Sequence, residues 1–338
     1  MIIIGCDFHP SFQQIAMLDT ETGAIEEHKL MHTSGEAEGF YRKLAFPAIV
    51  GIETVGNDQW FVQLLQKLGH EVCVGDAAQI RASYVRKQKT DRRDAKHILQ
   101  LLVEGRFPRI IWIPDAEMRD HRQLLMHRHK LVQIRTRVKN ELQHLMLNQG
   151  MQKKQKLWST EGRAALASLP LQPWTDRRRK DLLNLLVMLD GQLESLNDAV
   201  TQVAKEYQGV HLLMSQPGVG AVTALAFVLT LGDVHRFPHG KQVASYLGLI
   251  PREHSSGGKQ RMGGISKQGN RLLRFLLVEA ANIAVRFDPD LRKEYLHRCH
   301  QKHFTVAKVA TARKLAIRMY WMLRTQTPYP QVLSSRVA

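Results

Sequence analysis

Two short runs of apolar residues, each ending at a carboxylate, constrain the fold of the first part of the chain most. Residues 2–7 read IIIGCD and residues 48–53 read AIVGIE. A continuous apolar run of this length predicts a strand buried on both faces. The neighbouring pattern predicts a hairpin over 12–19 and 24–30, helices over 39–44 and 60–68, and a further strand over 71–75. Strands and helices in alternation predict an α/β layered domain.

The middle of the chain predicts two long helical arms. In the second arm, apolar residues alternate steps of four and three, at Leu182, Leu186, Leu189, Leu193, Leu196, Val200 and Val203. This heptad spacing predicts a coiled coil, although an ordinary helical hairpin is an equal alternative. The first arm is less regular, with Leu124, Leu131, Ile134, Val138, Leu142 and Leu145. The two arms are expected to pair either within one chain or across a dimer.

The charge of the chain indicates a polyanionic partner. Lys and Arg number 48 against 31 Asp and Glu, which gives a formal net charge of +17. Such an excess favours nucleic acid, because each neutralised phosphate releases a condensed counterion. The 3 cysteines are far apart and make no paired spacing, so they indicate neither a disulfide scaffold nor a cysteine zinc finger, and they fit a reducing cytosol. We expect no signal peptide, no membrane span and a cytoplasmic location.

Four carboxylates are candidates for a metal site. Asp7 and Glu53 end the two buried strands, and the carboxyl ends of such strands collect ligands. Asp91 and Asp94 lie three residues apart at the start of a predicted helix, so both can face one point. Carboxylate oxygens favour Mg²⁺, and two such ions can hold the attacking and leaving oxygens of a phosphodiester. The structural alternatives are a strand-end turn for Asp7 and, for the other pair, Asp91 as the cap of its helix.

A glycine-rich basic loop over residues 251–270 is the second candidate feature. Its glycines allow close backbone approach to a phosphate, and positive charge comes from Lys259, Arg261, Lys267, Arg271 and Arg274. A serine of this loop can act as a nucleophile if its proton is removed, or the loop can simply clamp DNA. Between two apolar helical segments, Pro217-Gly218-Val219-Gly220 resembles a helix-hairpin-helix element, whose backbone amides bind DNA phosphates. A plain helix-helix turn is the alternative interpretation of Gly218 and Gly220.

Taken together and in this order, these motifs resemble the DEDD transposases of the insertion-sequence 110 family, including its 1111 branch. The N-terminal motifs are IIIGCDFH, VGIETVGN and KTDRRDAKHI, and the C-terminal motifs are SQPGVGAVTA and YLGLIPREHSSGGKQRMGGISKQGNRLLR. The resemblance covers nearly the whole chain. It implies a RuvC-like, RNase H-like metal-binding domain in the N-terminal part and a transposase domain in the C-terminal part. Together with the helical patterns described above, it predicts three regions: the metal-binding domain at 1–108, the coiled-coil arms at 109–208, and the mostly helical transposase domain at 209–338.

The resemblance also implies a site and a reaction. Asp7, Glu53, Asp91 and Asp94 match the family's metal-binding tetrad, and the catalytic serine maps to Ser256, next to Ser255. The implied partners are donor DNA, target DNA and a structured noncoding guide RNA, the bridge RNA. The implied chemistry is Mg²⁺-assisted transesterification through a serine-linked DNA end. Because two duplexes must be held at once, we expect a homodimer or homotetramer.

Two other functions are consistent with the same residues. A RuvC-like junction-resolving endonuclease would attack DNA with metal-activated water and would use Ser256 only to clamp the strand. A non-catalytic nucleic-acid-binding protein would bind in a salt-sensitive way and break no strands. The effect of replacing Ser256 separates the first alternative from the transposase, and the need for a divalent cation separates the second.

Overall fold

The structure, a computed structural model, describes residues 1–54, 56–84, 90–108, 111–151, 157–329 and 331. The chain divides into two compact units, Met1–Ile113 and Pro114–Ala338. Part of the basic stretch 81–89 lies outside the described residues, as does most of the last ten residues. The three-part domain division made from the sequence stays a prediction. No helix among the described residues is long and apolar enough to cross a membrane.

The first unit is a mixed five-stranded sheet with helices, so the predicted α/β fold of this part is confirmed. Its strands are β1 (Ile2–Phe8), β2 (Phe12–Asp19), β3 (Ile25–Met31), β4 (Ala48–Glu53) and β5 (Glu71–Gly75), in the order β3-β2-β1-β4-β5. Strands β1, β2 and β3 pair antiparallel, whereas β4 pairs parallel with β1 and β5 parallel with β4. Its helices are α1 (Glu36–Lys43), α2 (Gln59–Lys67), α3 (Ala77–Ala82) and α4 (Asp91–Val103).

The two faces of the sheet carry different neighbours. Because side chains alternate along a strand, Ile4, Cys6 and Phe8 of β1 point to one face, where Tyr41 of α1 and Phe61 of α2 complete the core. Ile3 points to the other face and packs with residues of α4, including Leu99. Asp7, two residues after Gly5, points to the same face as Ile3. Glu53 does so too, because it lies two residues after Gly51, where an added Cβ would contact Leu102 of α4. The alternation therefore directs both strand-end carboxylates to the face that α4 covers.

Gly5 allows the backbone of α4 to lie directly on β1. A Cβ atom built at Gly5 would be 2.3 Å from the carbonyl oxygen of Ala95 and 2.3 Å from the amide nitrogen of Leu99. Both atoms are backbone, so neither can rotate away. The absence of a side chain at this position sets the spacing between β1 and α4, and hence between the carboxylates on these two elements.

We expect Gly5→Ala to lower the free energy of unfolding by about 3 kcal/mol, because overpacking a close backbone contact forces the helix off the strand. Urea unfolding followed by circular dichroism measures this change. The matched control is Gly39→Ala in α1, where an added Cβ meets nothing within 4 Å. That substitution is expected to be neutral or slightly stabilising, since alanine favours a helix over glycine. Equal stabilities for the two variants would contradict this account of Gly5.

The second unit is mostly helical, as predicted. Its helices are α5 (Ala116–Asn148), α6 (Thr160–Ala167), α7 (Pro173–Glu206), α8 (Gln208–Met214), α9 (Ala221–Leu231), α10 (Gly240–Tyr246), α11 (Arg271–Phe287), α12 (Pro289–Gln301) and α13 (Phe304–Thr325). A 3₁₀ turn spans Val234–Arg236, and two short strands, β6 (Pro251–Glu253) and β7 (Met262–Ile265), pair antiparallel. The hairpin of β6 and β7 occupies part of the segment for which the sequence predicted a loop.

The long arms α5 and α7 pair with each other within one chain and run antiparallel. Cross-arm contacts join Arg178 to Glu141 at 3.0 Å and Arg128 to Asn197 at 2.7 Å. All seven predicted heptad positions of α7 are buried or half-buried, and Leu186, Leu189, Leu193 and Val200 are buried. In α5, however, Ile134 is 40% exposed, so its predicted place in the seam is wrong. A 3.6-residue helix drifts away from a strict heptad, and the irregular spacing of α5 follows that drift.

Candidate active site

The four predicted metal-binding carboxylates come from β1, β4 and α4. Asp7 and Glu53 occupy equivalent ends of two parallel strands, one residue beyond the registered pair of Cys6 and Ile52. Asp91 is the first residue of α4 and is half exposed, whereas Asp94, one turn later, is buried. Thr90 is the cap of this helix, since its side chain accepts from the amide of Arg93. The alternative in which Asp91 caps the helix is therefore wrong.

The charges of two of the other carboxylates act on Asp7. Its pKa is raised, first by burial and then by the negative charges of Asp94 and Asp91, while His9 opposes the rise. Neighbouring negative charges disfavour the ionised form of a carboxylate, and a bound cation would stabilise that form. One carboxylate oxygen of Asp7 also lies within 4.8 Å of one oxygen of Asp91, which agrees with a divalent-cation site.

Glu53 and Asp94 are held by two residues that the sequence did not single out. Arg81 of α3 forms an ion pair with Glu53 at 3.1 Å. The hydroxyl of Tyr84, shortly after α3, donates a hydrogen bond of 2.6 Å to Asp94. Burial raises the pKa of Tyr84, and so do the hydrogen bond to Asp94 and the charges of Asp94, Asp7 and Glu53. Tyr84 therefore stays neutral, and the negative charges of three of the four carboxylates contribute to this.

His9 is a further residue that the sequence did not single out. Its Nε2 atom lies 3.1 Å from Oδ2 of Asp7 and 3.6 Å from Oδ1 of Asp91. One ligand atom from each of these three residues lies within 4.8 Å of the other two, the spacing of a group that could hold a metal ion. The signal in the sequence was the two-residue step from Asp7, which places both side chains on the same side of a strand. Chemically, the donor set suits a divalent cation.

The two candidate serines lie on the hairpin of β6 and β7 in different environments. Ser255 Oγ donates to Oε1 of Glu253 at 2.6 Å and accepts from the amide of Arg261 at 3.2 Å. Ser256 and Lys259 face each other across the tip and exchange two backbone hydrogen bonds, of 3.3 and 3.1 Å. Between them Gly257 and Gly258 both have positive φ, at 57° and 74°, as a type I′ turn requires. The structure therefore places Ser256 at an exposed tip and uses the hydroxyl of Ser255 inside the hairpin.

The predicted basic residues of this segment divide into two groups. Lys259 and Arg261 are exposed on the hairpin, and Arg271 is exposed at the start of α11. Arg274 instead donates to the backbone carbonyls of Leu247 and Gln268, so its guanidinium fixes the base of the hairpin. Lys267 also lies at that base, where it is exposed and has a positive φ of 58°.

The Pro217-Gly218-Val219-Gly220 turn joins α8 to α9. At Gly218, φ is 86°, and an added Cβ would lie 2.6 Å from the carbonyl oxygen of Ala280 in α11. Gly218 is therefore required by close packing between the turn and α11. Gly220 is exposed and precedes the first residue of α9, with open space where a Cβ would be. Of the two glycines, Gly220 has the backbone that is more accessible to a phosphate.

Comparison with known proteins identifies relatives along most of the chain. A family model described as a transposase, for DEDD transposases of IS110 elements, matches residues 4–150. A second model, described as the transposase IS116/IS110/IS902 family, matches residues 210–296. The first match contains the four carboxylates, and the second contains the glycine turn and the serine hairpin.

Three relatives illustrate the extent of the similarity. A probable family 20 transposase of Pseudomonas aeruginosa is 28% identical over 96% of this chain and 98% of its own length. A putative transposase, y4rJ, of Sinorhizobium fredii is 30% identical over 72% of this chain and 67% of its own. The transposase for the insertion sequence element IS1111A of Coxiella burnetii is 34% identical over 60% of this chain and 57% of its own.

Proposed function

Because the chain belongs to the IS116/IS110/IS902 family of insertion-sequence transposases, we propose that it cuts and rejoins DNA through a serine-linked intermediate. Transposases of this family catalyse DNA transposition and recombination. The observation that carries the proposal is the group formed by Asp7 of β1, His9 and Asp91 of α4, whose ligand atoms lie within 4.8 Å of one another, with Glu53 at the equivalent end of the neighbouring parallel strand β4. That arrangement suits phosphodiester chemistry, whereas a protein that only binds DNA has no need of it.

Asp7, Glu53, Asp91 and Asp94 are the residues that would hold the metal, and we propose Mg²⁺ because their donors are oxygens. When bound, a divalent cation lowers the pKa of an attacking hydroxyl and stabilises charge on the phosphate. Tyr84 and Arg81 keep Asp94 and Glu53 in place through the contacts described above. The α/β sheet that carries these residues supports an RNase H-like, RuvC-like interpretation of this unit.

We assign Ser256 as the nucleophile. Ser255 holds the two sides of the hairpin together through Glu253 and the amide of Arg261, a structural use of its hydroxyl. Ser256 is exposed at a tip whose two glycines leave room for a DNA backbone. Ser256 and the carboxylates belong to different units of the chain, and the reaction requires both to act on the same phosphodiester.

The proposed reaction conserves the phosphodiester. Ser256 Oγ loses its proton and forms a bond to phosphorus, while the bond from phosphorus to a deoxyribose oxygen breaks and leaves a free DNA hydroxyl. In the second step a DNA hydroxyl attacks the phosphoserine ester, which restores Ser256 and reseals the strand. One phosphodiester replaces another at each step, so no nucleotide hydrolysis is needed.

The partners of the reaction follow from charge and from the family. The net charge of +17 and the exposed Lys259, Arg261 and Arg271 favour binding to DNA phosphates. We further propose a structured noncoding guide RNA that pairs with donor and target DNA, and a homodimer or homotetramer that holds both duplexes. Family resemblance supports the RNA, and the need for two duplexes supports the oligomer.

A denaturing gel tests the proposal. The full chain is incubated with DNA that carries the ends of its element, the RNA encoded in the element's flank, and Mg²⁺. We expect a covalent protein–DNA adduct that maps to the tryptic peptide 253–259 and disappears when the cation is chelated. Strand cleavage without an adduct would support the water-using resolvase instead. Salt-sensitive binding without cleavage, in the presence of all components, would support the non-catalytic alternative.

A further inference from the structure

The imidazole of His9 occupies the space between two of the proposed metal ligands. Its Nε2 atom is 3.1 Å from Asp7 Oδ2 and 3.6 Å from Asp91 Oδ1, and no other imidazole of the described residues is paired with two of the four carboxylates. The ring therefore presents one nitrogen to the same point as two carboxylate oxygens. None of the comparisons with known proteins assigns a role to this residue.

The position of the ring follows from the end of β1. His9 comes two residues after Asp7, so both side chains lie on the same side of the extended chain. The backbone is held in a tight connection, because the amide of His9 donates to the carbonyl oxygen of Phe12 at 2.9 Å. The ring also stacks on the ring of Phe12, with centroids 4.7 Å apart and planes at 25°. This packing orders the imidazole before any ion binds.

The distances match those between ligands of a single ion. With bonds of about 2.1 Å, two donors on one cation are about 3.0 Å apart in octahedral geometry and about 3.4 Å apart in tetrahedral geometry. The two measured distances, 3.1 and 3.6 Å, are close to these values. We propose that His9 is a metal ligand beside Asp7 and Asp91, and that its nitrogen strengthens the binding of Mn²⁺ at this site more than the binding of Mg²⁺. The inference rests on the proposed metal-dependent function and specifies its ligand set.

The difference between the two ions follows from ligand chemistry. Mg²⁺ takes oxygen donors almost exclusively, whereas imidazole nitrogen suits transition-metal ions. A site with three or four carboxylates and one imidazole therefore binds both ions, but it gains more from the nitrogen with Mn²⁺. Removal of His9 should cost Mn²⁺ affinity and leave Mg²⁺ affinity nearly unchanged. A positively charged His9 that merely neutralises the carboxylates would have the opposite effect, because its removal would tighten the binding of both ions.

Mn²⁺ alone, added to the full chain, tests the proposal without any DNA reaction. Electron paramagnetic resonance counts bound Mn²⁺, and electron spin echo modulation detects a directly bonded ¹⁴N nucleus. We expect nitrogen coupling in the wild-type protein and none in His9→Ala or His9→Gln. We expect the Kd for Mn²⁺ to rise about 10- to 100-fold in both variants. Competition with Mg²⁺ should show less than about a 3-fold change in the Kd for Mg²⁺.

The control is His28→Ala. His28 Nε2 also contacts a carboxylate, Glu26, at 3.1 Å in the same sheet, but on β3 and away from the other ligands. This variant should keep the nitrogen coupling and the Mn²⁺ affinity. Circular dichroism shows whether each variant is folded.

Three results would overturn the assignment of His9: bound Mn²⁺ without nitrogen coupling, persistent coupling in both His9 variants, or unchanged or tighter Mn²⁺ binding in them. A different variant, Asp7→Asn, tests the carboxylate site on which the proposed function depends. If Asp7→Asn also leaves Mn²⁺ binding intact, or if the wild-type chain binds no Mn²⁺, the carboxylate site itself is wrong. If Asp7→Asn abolishes binding and the His9 variants do not change it, only the ligand role of His9 fails.

Discussion

Ser256→Ala should abolish the covalent protein–DNA adduct and lower the rate of strand cleavage by about 10³-fold or more, because the proposed reaction forms its first bond at Ser256 Oγ. The substitution removes one exposed hydroxyl at the hairpin tip, so we expect stability and DNA affinity to change little. The rate is measured on labelled DNA under single-turnover conditions with Mg²⁺ and the guide RNA. DNA binding by the same variant, measured by gel shift, separates loss of chemistry from loss of binding.

Ser255→Ala is the matched control, since it removes the neighbouring hydroxyl from the same hairpin. It breaks the contacts to Glu253 and to the amide of Arg261, so cleavage should fall, but only by about 10-fold, and the adduct should persist. The reverse pattern, with an adduct in Ser256→Ala and none in Ser255→Ala, would transfer the nucleophile to Ser255. Full cleavage by both variants would remove the serine mechanism altogether.

Asp7→Asn should abolish metal-dependent cleavage, with a loss of about 10³-fold or more. Asparagine keeps the size of the side chain but not the charge, and Asp7 is the carboxylate grouped with both His9 and Asp91 at metal-ligand spacing. Since its charge is disfavoured by burial and by its neighbours, the neutral residue should also raise the melting temperature slightly. Cleavage assays over a range of Mg²⁺ concentrations, together with thermal unfolding, measure both effects.

The control for Asp7→Asn is Glu26→Gln, which also neutralises one carboxylate of the sheet, on β3 and beside His28. The Glu26→Gln variant should cleave DNA at the wild-type rate. Wild-type cleavage by Asp7→Asn would show that the carboxylates of this face are not catalytic. Equal losses in the two variants would show that the effect comes from net charge.

Much of the first unit follows from local sequence patterns. The apolar runs at 2–7 and 48–53 predict β1 and β4, because a strand that is buried on both faces needs apolar side chains on both faces. The same pattern explains why Asp7 and Glu53 are recognisable as strand-end residues. The long helices α5 and α7 were also predictable, since their apolar periodicity extends over many turns.

The remaining features depend on contacts that no local pattern encodes. Tyr84 meets Asp94 because the short helix α3 and the start of α4 come together, and a six-residue helix has too few turns to show a period. The hairpin of β6 and β7 has strands of three and four residues, too short for a clear alternation. Gly5 lies within the apolar run of β1, and no local pattern shows that it admits the backbone of α4. The metal-binding role of the four carboxylates and the nucleophilic role of Ser256 remain predictions.

The antiparallel pairing of α5 and α7 constrains how the length of the arms can change. Helices of 33 and 34 residues are about 50 Å long at about 1.5 Å per residue. Because the two helices share one packed seam, an insertion in one arm alone would leave apolar side chains without a partner. Matching insertions of about seven residues in both arms, or about 10 Å, would keep the seam in register. We therefore expect the length of the arms to change only in paired steps.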